Sequence, residues 1–134
     1  SMIRDAVCKN QITVTAEDTC RAYVDVRDAA MAIVLCVKAH INLISGEVFN
    51  VGSNDQNVPL KHVVDIVKEL WPSADISLMG EQPDLADYRL SCKKIQKLLD
   101  FNPKWSIEAA LAELRDLLVD GKYGDPYDQR YINT

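Results

Sequence analysis

Positive charge is what this 134-residue sequence is short of. Fifteen lysines and arginines face twenty aspartates and glutamates, leaving a formal net charge of −5. General nucleic-acid binding needs a basic face to neutralise phosphates, so that class is excluded, although a local pair of arginines could still hold one small anion. Long apolar runs are missing too. None reaches the roughly 18 residues a membrane span needs, and no basic stretch leads into an apolar segment as in a secretory signal. The four cysteines, Cys8, Cys20, Cys36 and Cys92, include no Cys-x-x-Cys pair and are scattered over different segments. That pattern fits reduced structural thiols in a cytoplasmic protein better than disulfides or metal ligands. Only two histidines are present, His40 and His62, and neither lies near a cysteine cluster, so no zinc site is expected. Repeats, low-complexity tracts and long linkers are absent as well.

What is there is an ordinary globular composition, 48% hydrophobic and 26% charged, in a length that allows one domain with one modest core. Ser1-Met2 reads as a cloning scar, with a single domain over residues 3–134, so the chain is expected to be a piece of something longer. Gln11 to Thr15 alternates β-branched and polar residues as a strand does. Arg21 to Val26 reads as a second strand. It runs into a helix that begins near Asp25 and continues to Ile41, with Asp25 as N-cap and Asp28 as a second carboxylate in the first turn. Gly46 to Ser53 holds a short apolar strand between two glycines. Pro59 suits the first turn of a helix whose apolar face is Leu60, Val63, Val64, Val67, Leu70 and Trp71, ended by Pro72. Asp75 to Met79 is a short strand. Ser91 is placed to cap a helix bearing Ile95, Leu98 and Leu99, and Ser106 to cap the last helix, which Gly121 ends. The tail from Lys122 has aromatic residues without a period and is expected to pack as an irregular strap. The count is about four helices and three or four short strands in alternating α/β order. The strands are too few for an independent sheet, which suggests that some complete a sheet lying elsewhere.

Three stretches, Arg21 to Ala29, Phe49 to Gly52 and Lys94 to Trp105, come in the order and spacing of a known pattern. It is similar to the C-terminal part of the NAD-dependent nucleotide-sugar epimerases and dehydratases, the extended short-chain dehydrogenase/reductases. The resemblance covers roughly residues 12 to 120. It implies a small C-terminal substrate-binding α/β domain, a fragment of a Rossmann-type enzyme. It also implies NAD bound by a region absent here, a nucleotide sugar as ligand, the missing Rossmann domain as partner, and a possible homo-oligomer. No membrane or nucleic-acid partner is implied. The family's Gly-x-x-Gly-x-x-Gly turn has no match in this sequence, and neither has its Tyr-x-x-x-Lys pair: Tyr23 is followed four residues on by Arg27, Tyr88 by Cys92, Tyr123 by Tyr127 and Tyr127 by Tyr131. No hydride chemistry can therefore be built from this chain alone, and neither catalytic nor cofactor-binding residues are assigned to it. The alternative reading is a non-enzymatic nucleotide-binding or interaction module of the same fold.

The resemblance also implies site residues. Arg21 matches an arginine that reaches the diphosphate, a role that suits the planar, permanently charged guanidinium fork; otherwise it is a strand-edge arginine paired with Asp25. Tyr23 and Asn50 are further substrate-side candidates, with Asn50 and Gly52 equally readable as turn formers. A second phosphate arginine is expected between Glu81 and Ser91. Family members place it where this sequence has Gln82 or Ala86, which leaves Arg89 as the available residue, effective if it turns inward. Arg27 and Asp28 read as a cap and a surface ion pair. Trp71 and Trp105 read as packing residues, and His62 as a solvated side chain.

Overall fold

The computed structural model describes residues 2–79, 87–122 and 124–131. It begins with a helix that the sequence pattern did not reveal, α1 (Met2–Lys9), whose Ile3 and Ala6 are buried. Met2, set aside above with Ser1, is the first residue of that helix and packs against the core. Eight residues with two buried positions give little periodic signal, so tertiary packing rather than propensity holds this helix.

Asn10 turns the chain from α1 into strand β1 (Gln11–Thr15) with φ 53°, a left-handed conformation asparagine tolerates. Its side chain fastens a second turn to the first. Asn10 Nδ2 donates to the Ser73 carbonyl at 2.8 Å, and Oδ1 accepts from Ser73 Oγ at 2.7 Å and Trp71 Nε1 at 3.3 Å. That sets β1 parallel to β4 (Asp75–Met79), in register from Gln11 opposite Asp75 to Thr15 opposite Met79. Between these strands in sequence lies α4 (Leu60–Leu70), which buries Val63, Val64, Ile66 and Val67. Ile12, Val14, Val64 and Val67 join Ile3 and Ala6 in the first core cluster. Pro59 is the residue before α4 rather than its first turn, and closes β3 (Asn57–Pro59). β3 pairs antiparallel with β2 (Cys20–Ala22), Arg21 lying opposite Val58. The second expected strand is therefore three residues long.

Asp25 caps α2 (Val26–Lys38) as expected, accepting from the Arg27 N–H, and the helix stops at Lys38 rather than Ile41. A one-turn helix, α3 (Ile41–Ile44), follows. Gly46 to Ser53 forms no strand. Phe49 and Val51 face inward onto the cluster of Ala32, Cys92, Ile95 and Phe101, but no ladder partner runs beside the segment among the described residues. Gly52 takes φ 142°, a backbone conformation that residues with a Cβ rarely adopt, while the space beside it, toward the Tyr23 carbonyl oxygen and Cys92 Sγ, would admit a Cβ at ordinary contact distance. Helix α5 (Lys93–Leu99) takes Cys92, not Ser91, as its cap and makes no side-chain cap bond. Asp100, at φ 51°, ends it. Ser106 does cap α6 (Ile107–Val119), accepting from the Ala109 N–H at 3.2 Å. Ile107 joins Val63 and Ile66 in a third cluster.

Asp28 corrects an expectation. It is not a surface ion-pair residue but is 4% exposed, and its carboxylate accepts from the Lys104 N–H at 2.9 and 3.1 Å and from the Trp105 N–H at 3.0 Å. A buried charge is tolerated only with such hydrogen bonds. It fixes the approach to α6 on the first turn of α2. In the tail, the Tyr127 hydroxyl donates to Asp5 Oδ1 at 2.7 Å, with the Arg4 guanidinium and the Lys9 ammonium each 4.3 Å from the ring centre. The tail thus straps back onto α1; Tyr123 lies outside the described residues.

Candidate functional site

Two of the four candidate residues meet on one cysteine. β2 carries Arg21, whose Nη1 donates to the carbonyl of Cys20 at 2.9 Å, while Arg89 Nη2 reaches Cys20 Sγ at 3.1 Å. Arg89 therefore turns toward β2. The Arg21 guanidinium lies 5.4 Å from the centre of the Tyr88 ring, so its plane is steadied by an aromatic face. Arg21 is half-buried and Arg89 exposed, which leaves charged forks at a surface a phosphate can reach.

The segment bearing Arg89 is placed by long-range bonds. Asp87 Oδ1 accepts from the Cys20 N–H at 2.9 Å. Asn57 holds Leu90 at both backbone atoms, accepting from its N–H at 2.8 Å and donating to its carbonyl at 2.9 Å. Asn54 Oδ1 accepts from the Cys92 N–H at 2.9 Å. Asp87, Asn54 and Asn57 escaped sequence reasoning, since their partners lie 33 to 67 residues away. The Asp-Tyr-Arg triplet, Asp87 to Arg89, was the only local signal. Gln82 and Ala86, the other positions weighed for a second arginine, lie outside the described residues.

Tyr23 is half-buried, and burial raises its phenol above the ordinary tyrosine value against the pull of Arg21. It is a neutral hydroxyl near neutral pH. A cavity of about 290 Å³ adjoins it, walled chiefly by Met2, Val63, Ile107 and Leu111. That is at the small end of ligand pockets, and its lining, mostly apolar with Asp25, Gln56 and Ser106 among it, includes neither Arg21 nor Arg89. Asn50 is not drawn into the arginine pair. Its amide donates to the Ser91 carbonyl at 3.2 Å and ties the Gly46–Ser53 segment to the start of α5.

Asp25 goes to a different arginine from the one weighed above. Its oxygens take Arg27 Nε at 2.8 Å and Nη2 at 2.9 Å, Arg27 Nη1 pairs with Glu113 at 2.6 Å, and the guanidinium lies 3.4 Å from the Trp105 ring centre. The Arg27 hydrogen bonds hold the Asp25 carboxyl below its ordinary value of 3.8 and raise the already high arginine value further. A depressed carboxylate stabilises the fold fully above its unfolded value and loses that contribution as pH falls through the folded one. In a Trp71→Phe background, Trp105 fluorescence is therefore expected to hold steady down to the ordinary carboxylate value and to change in acid below it. The remaining residues fall as the sequence suggested: Trp71 packs on the first core, and His62 is exposed, 3.6 Å from Glu108. Among the described residues, all four cysteines are free, no group of three His, Cys, Asp or Glu side chains could hold a metal, and no helix is long and apolar enough to cross a membrane.

This arrangement of elements is shared with solved enzymes. UDP-glucuronic acid 4-epimerase from Bacillus cereus, solved with UDP-glucuronic acid and NAD, aligns at a TM-score of 0.75 and 20% identity over 89% of this chain and 38% of its own. TunA, an NAD-dependent NDP-hexosamine 5,6-dehydratase, aligns at 0.77 and 15% over 89% and 39%. L-threonine dehydrogenase from Clostridium difficile aligns at 0.77 and 18% over 92% and 40%. The chain has the fold of one part of these epimerase and dehydratase structures. It spans about two-fifths of the length of the solved structures it matches. No family model and no curated protein matches the sequence.

Proposed function

We propose that this chain is the substrate-binding portion of an NAD-dependent nucleotide-sugar epimerase or dehydratase, and that it holds the nucleoside diphosphate while chemistry happens elsewhere. The observation that carries the reading is the meeting of Arg21 and Arg89 on Cys20, in a fold shared with enzymes solved with nucleotide sugars. Two guanidinium forks give a diphosphate oppositely charged, bidentate donors. Tyr23 lies two residues from Arg21 and adds a neutral hydroxyl beside the charge, while Asn50 holds the neighbouring Gly46–Ser53 segment in place. Binding a remote, unreactive diphosphate orients the hexose and lowers the entropic cost of reaching the transition state.

The residues present do not fit NAD. A dinucleotide turn brings clustered glycines against a helix N-terminus, whereas the positive-φ glycines here, Gly46, Gly52, Gly121 and Gly124, follow no such spacing. No cofactor step is therefore derived for this chain. In this reading NAD and the reacting groups belong to a Rossmann domain that acts as partner, and the free thiols suit a cytoplasmic setting.

Calorimetry with UDP-, GDP-, CDP- and dTDP-sugars tests the proposal. Heat with at least one of them, and none with the free sugar, is expected. Silence with all of them would leave the arginines a packing role only, in keeping with a non-enzymatic module.

A further inference from the structure

Three asparagines do for residues 90–92 what a neighbouring strand does elsewhere. Asn57 accepts from the Leu90 N–H at 2.8 Å and donates to the Leu90 carbonyl at 2.9 Å. Asn50 donates to the Ser91 carbonyl at 3.2 Å, and Asn54 accepts from the Cys92 N–H at 2.9 Å. A carboxamide carries donor and acceptor in one plane, so it can serve both backbone polar atoms of one residue, as a strand does. Asn57 differs from the other two in where it stands. Its backbone belongs to β3 and lies opposite Ala22, the residue after Arg21. Its side chain grips Leu90, the residue after Arg89. One residue thus joins the two segments that carry the arginines. The second amide hydrogen goes to the Asn54 carbonyl at 2.8 Å. Both hydrogens are therefore used inside the fold, and Asn57 can act on a ligand only through its neighbours.

Granted the diphosphate site of Arg21 and Arg89, on which this rests, we propose that Asn57 is its positioning residue: it sets the spacing of the two guanidinium groups, and with it the preference for a diphosphate over a single phosphate. The backbone on either side of Arg89 is fixed. On one side Asp87 takes the Cys20 N–H at 2.9 Å and the Tyr88 N–H reaches the Cys20 carbonyl at 3.4 Å. On the other side is the Asn57 grip on Leu90. Held at both ends, Arg89 is aimed at β2, where its Nη2 meets Cys20 Sγ at 3.1 Å. Without the Asn57 amide one end is loose, and a diphosphate must then order the Arg89 fork as it binds. A lone phosphate on Arg21 does not incur that cost.

Calorimetry of the native and Asn57→Ala chains with UDP and with UMP tests the proposal. Asn57→Ala is expected to bind UDP about fivefold more weakly and UMP within about twofold of the native chain, at unchanged circular dichroism. A loss of structure alone would not change the ratio of the two affinities. In an Arg89→Ala background, Asn57→Ala is expected to weaken UDP binding by less than about twofold more, because both changes act through one contact. If Asn57→Ala does not fold, Asn57→Ser, which leaves a hydroxyl for the Asn54 carbonyl, carries the same comparison. A UDP-to-UMP ratio unchanged by the substitution, or a loss fully additive with Arg89→Ala, would overturn the role of Asn57 and leave the diphosphate reading standing. No UDP binding by the native chain would overturn both.

Discussion

Replacing Asp28 with alanine is expected to cost about 3–5 kcal/mol of folding stability, a large share of what a single domain has. The carboxylate is buried and accepts from the N–H groups of both Lys104 and Trp105. Alanine leaves those two donors without an acceptor at the place where the chain turns from the end of α5 into α6. Urea denaturation followed by circular dichroism reads the cost as a lower midpoint at unchanged slope. Asp28→Asn keeps one carbonyl acceptor and is expected to lose roughly half as much. A midpoint for Asp28→Ala within error of the native chain would show that the Lys104–Trp105 turn is held by something else.

Arg21→Ala is expected to weaken nucleotide-sugar binding by about 30-fold, the loss of one charge-assisted, bidentate contact of roughly 2 kcal/mol. The fold should persist, since Arg21 is half-buried and donates to the adjacent carbonyl of Cys20 on its own strand. Arg21→Lys is expected to recover only part of the loss, because an ammonium lacks the planar fork and stacks less well over Tyr88. Arg89→Ala should cost less, as that side chain is exposed and screened by solvent. Calorimetry reads each variant against the native chain. Equal affinity for Arg21→Ala and native chain would remove Arg21 from the site.

Local signals and long-range ones were not equally legible. Asp25 and Ser106 announced two helix starts because a cap is a contact between residues two or three apart. β1 and β4 showed in their alternation because β-branched runs bounded by turns are local features as well. α1 was missed because its eight residues bury two side chains and its support comes from α4, β1 and α6. The Gly46–Ser53 segment has a strand's alternation without a strand's neighbour among the described residues, and composition cannot report whether a partner lies alongside. The same distinction runs through the site. Arg21 was singled out as a candidate from its pattern of neighbours. The turn of Arg89 toward β2 depends on Asp87 and Asn57, which meet β2 and Leu90 across tens of residues. Asp28 looked like a helix-start carboxylate on the surface, and only the folded chain shows the Lys104–Trp105 backbone lying over it.

In the proposed function Arg21 and Arg89 act together on one diphosphate. Its most direct test is a titration of the chain with UDP followed by NMR at the arginine Nε–Hε groups. The Arg21 and Arg89 signals are expected to move together with a single dissociation constant, while Arg27, already held by Asp25 and Glu113, stays where it is. Saturable UDP binding that leaves both signals unmoved would contradict the account.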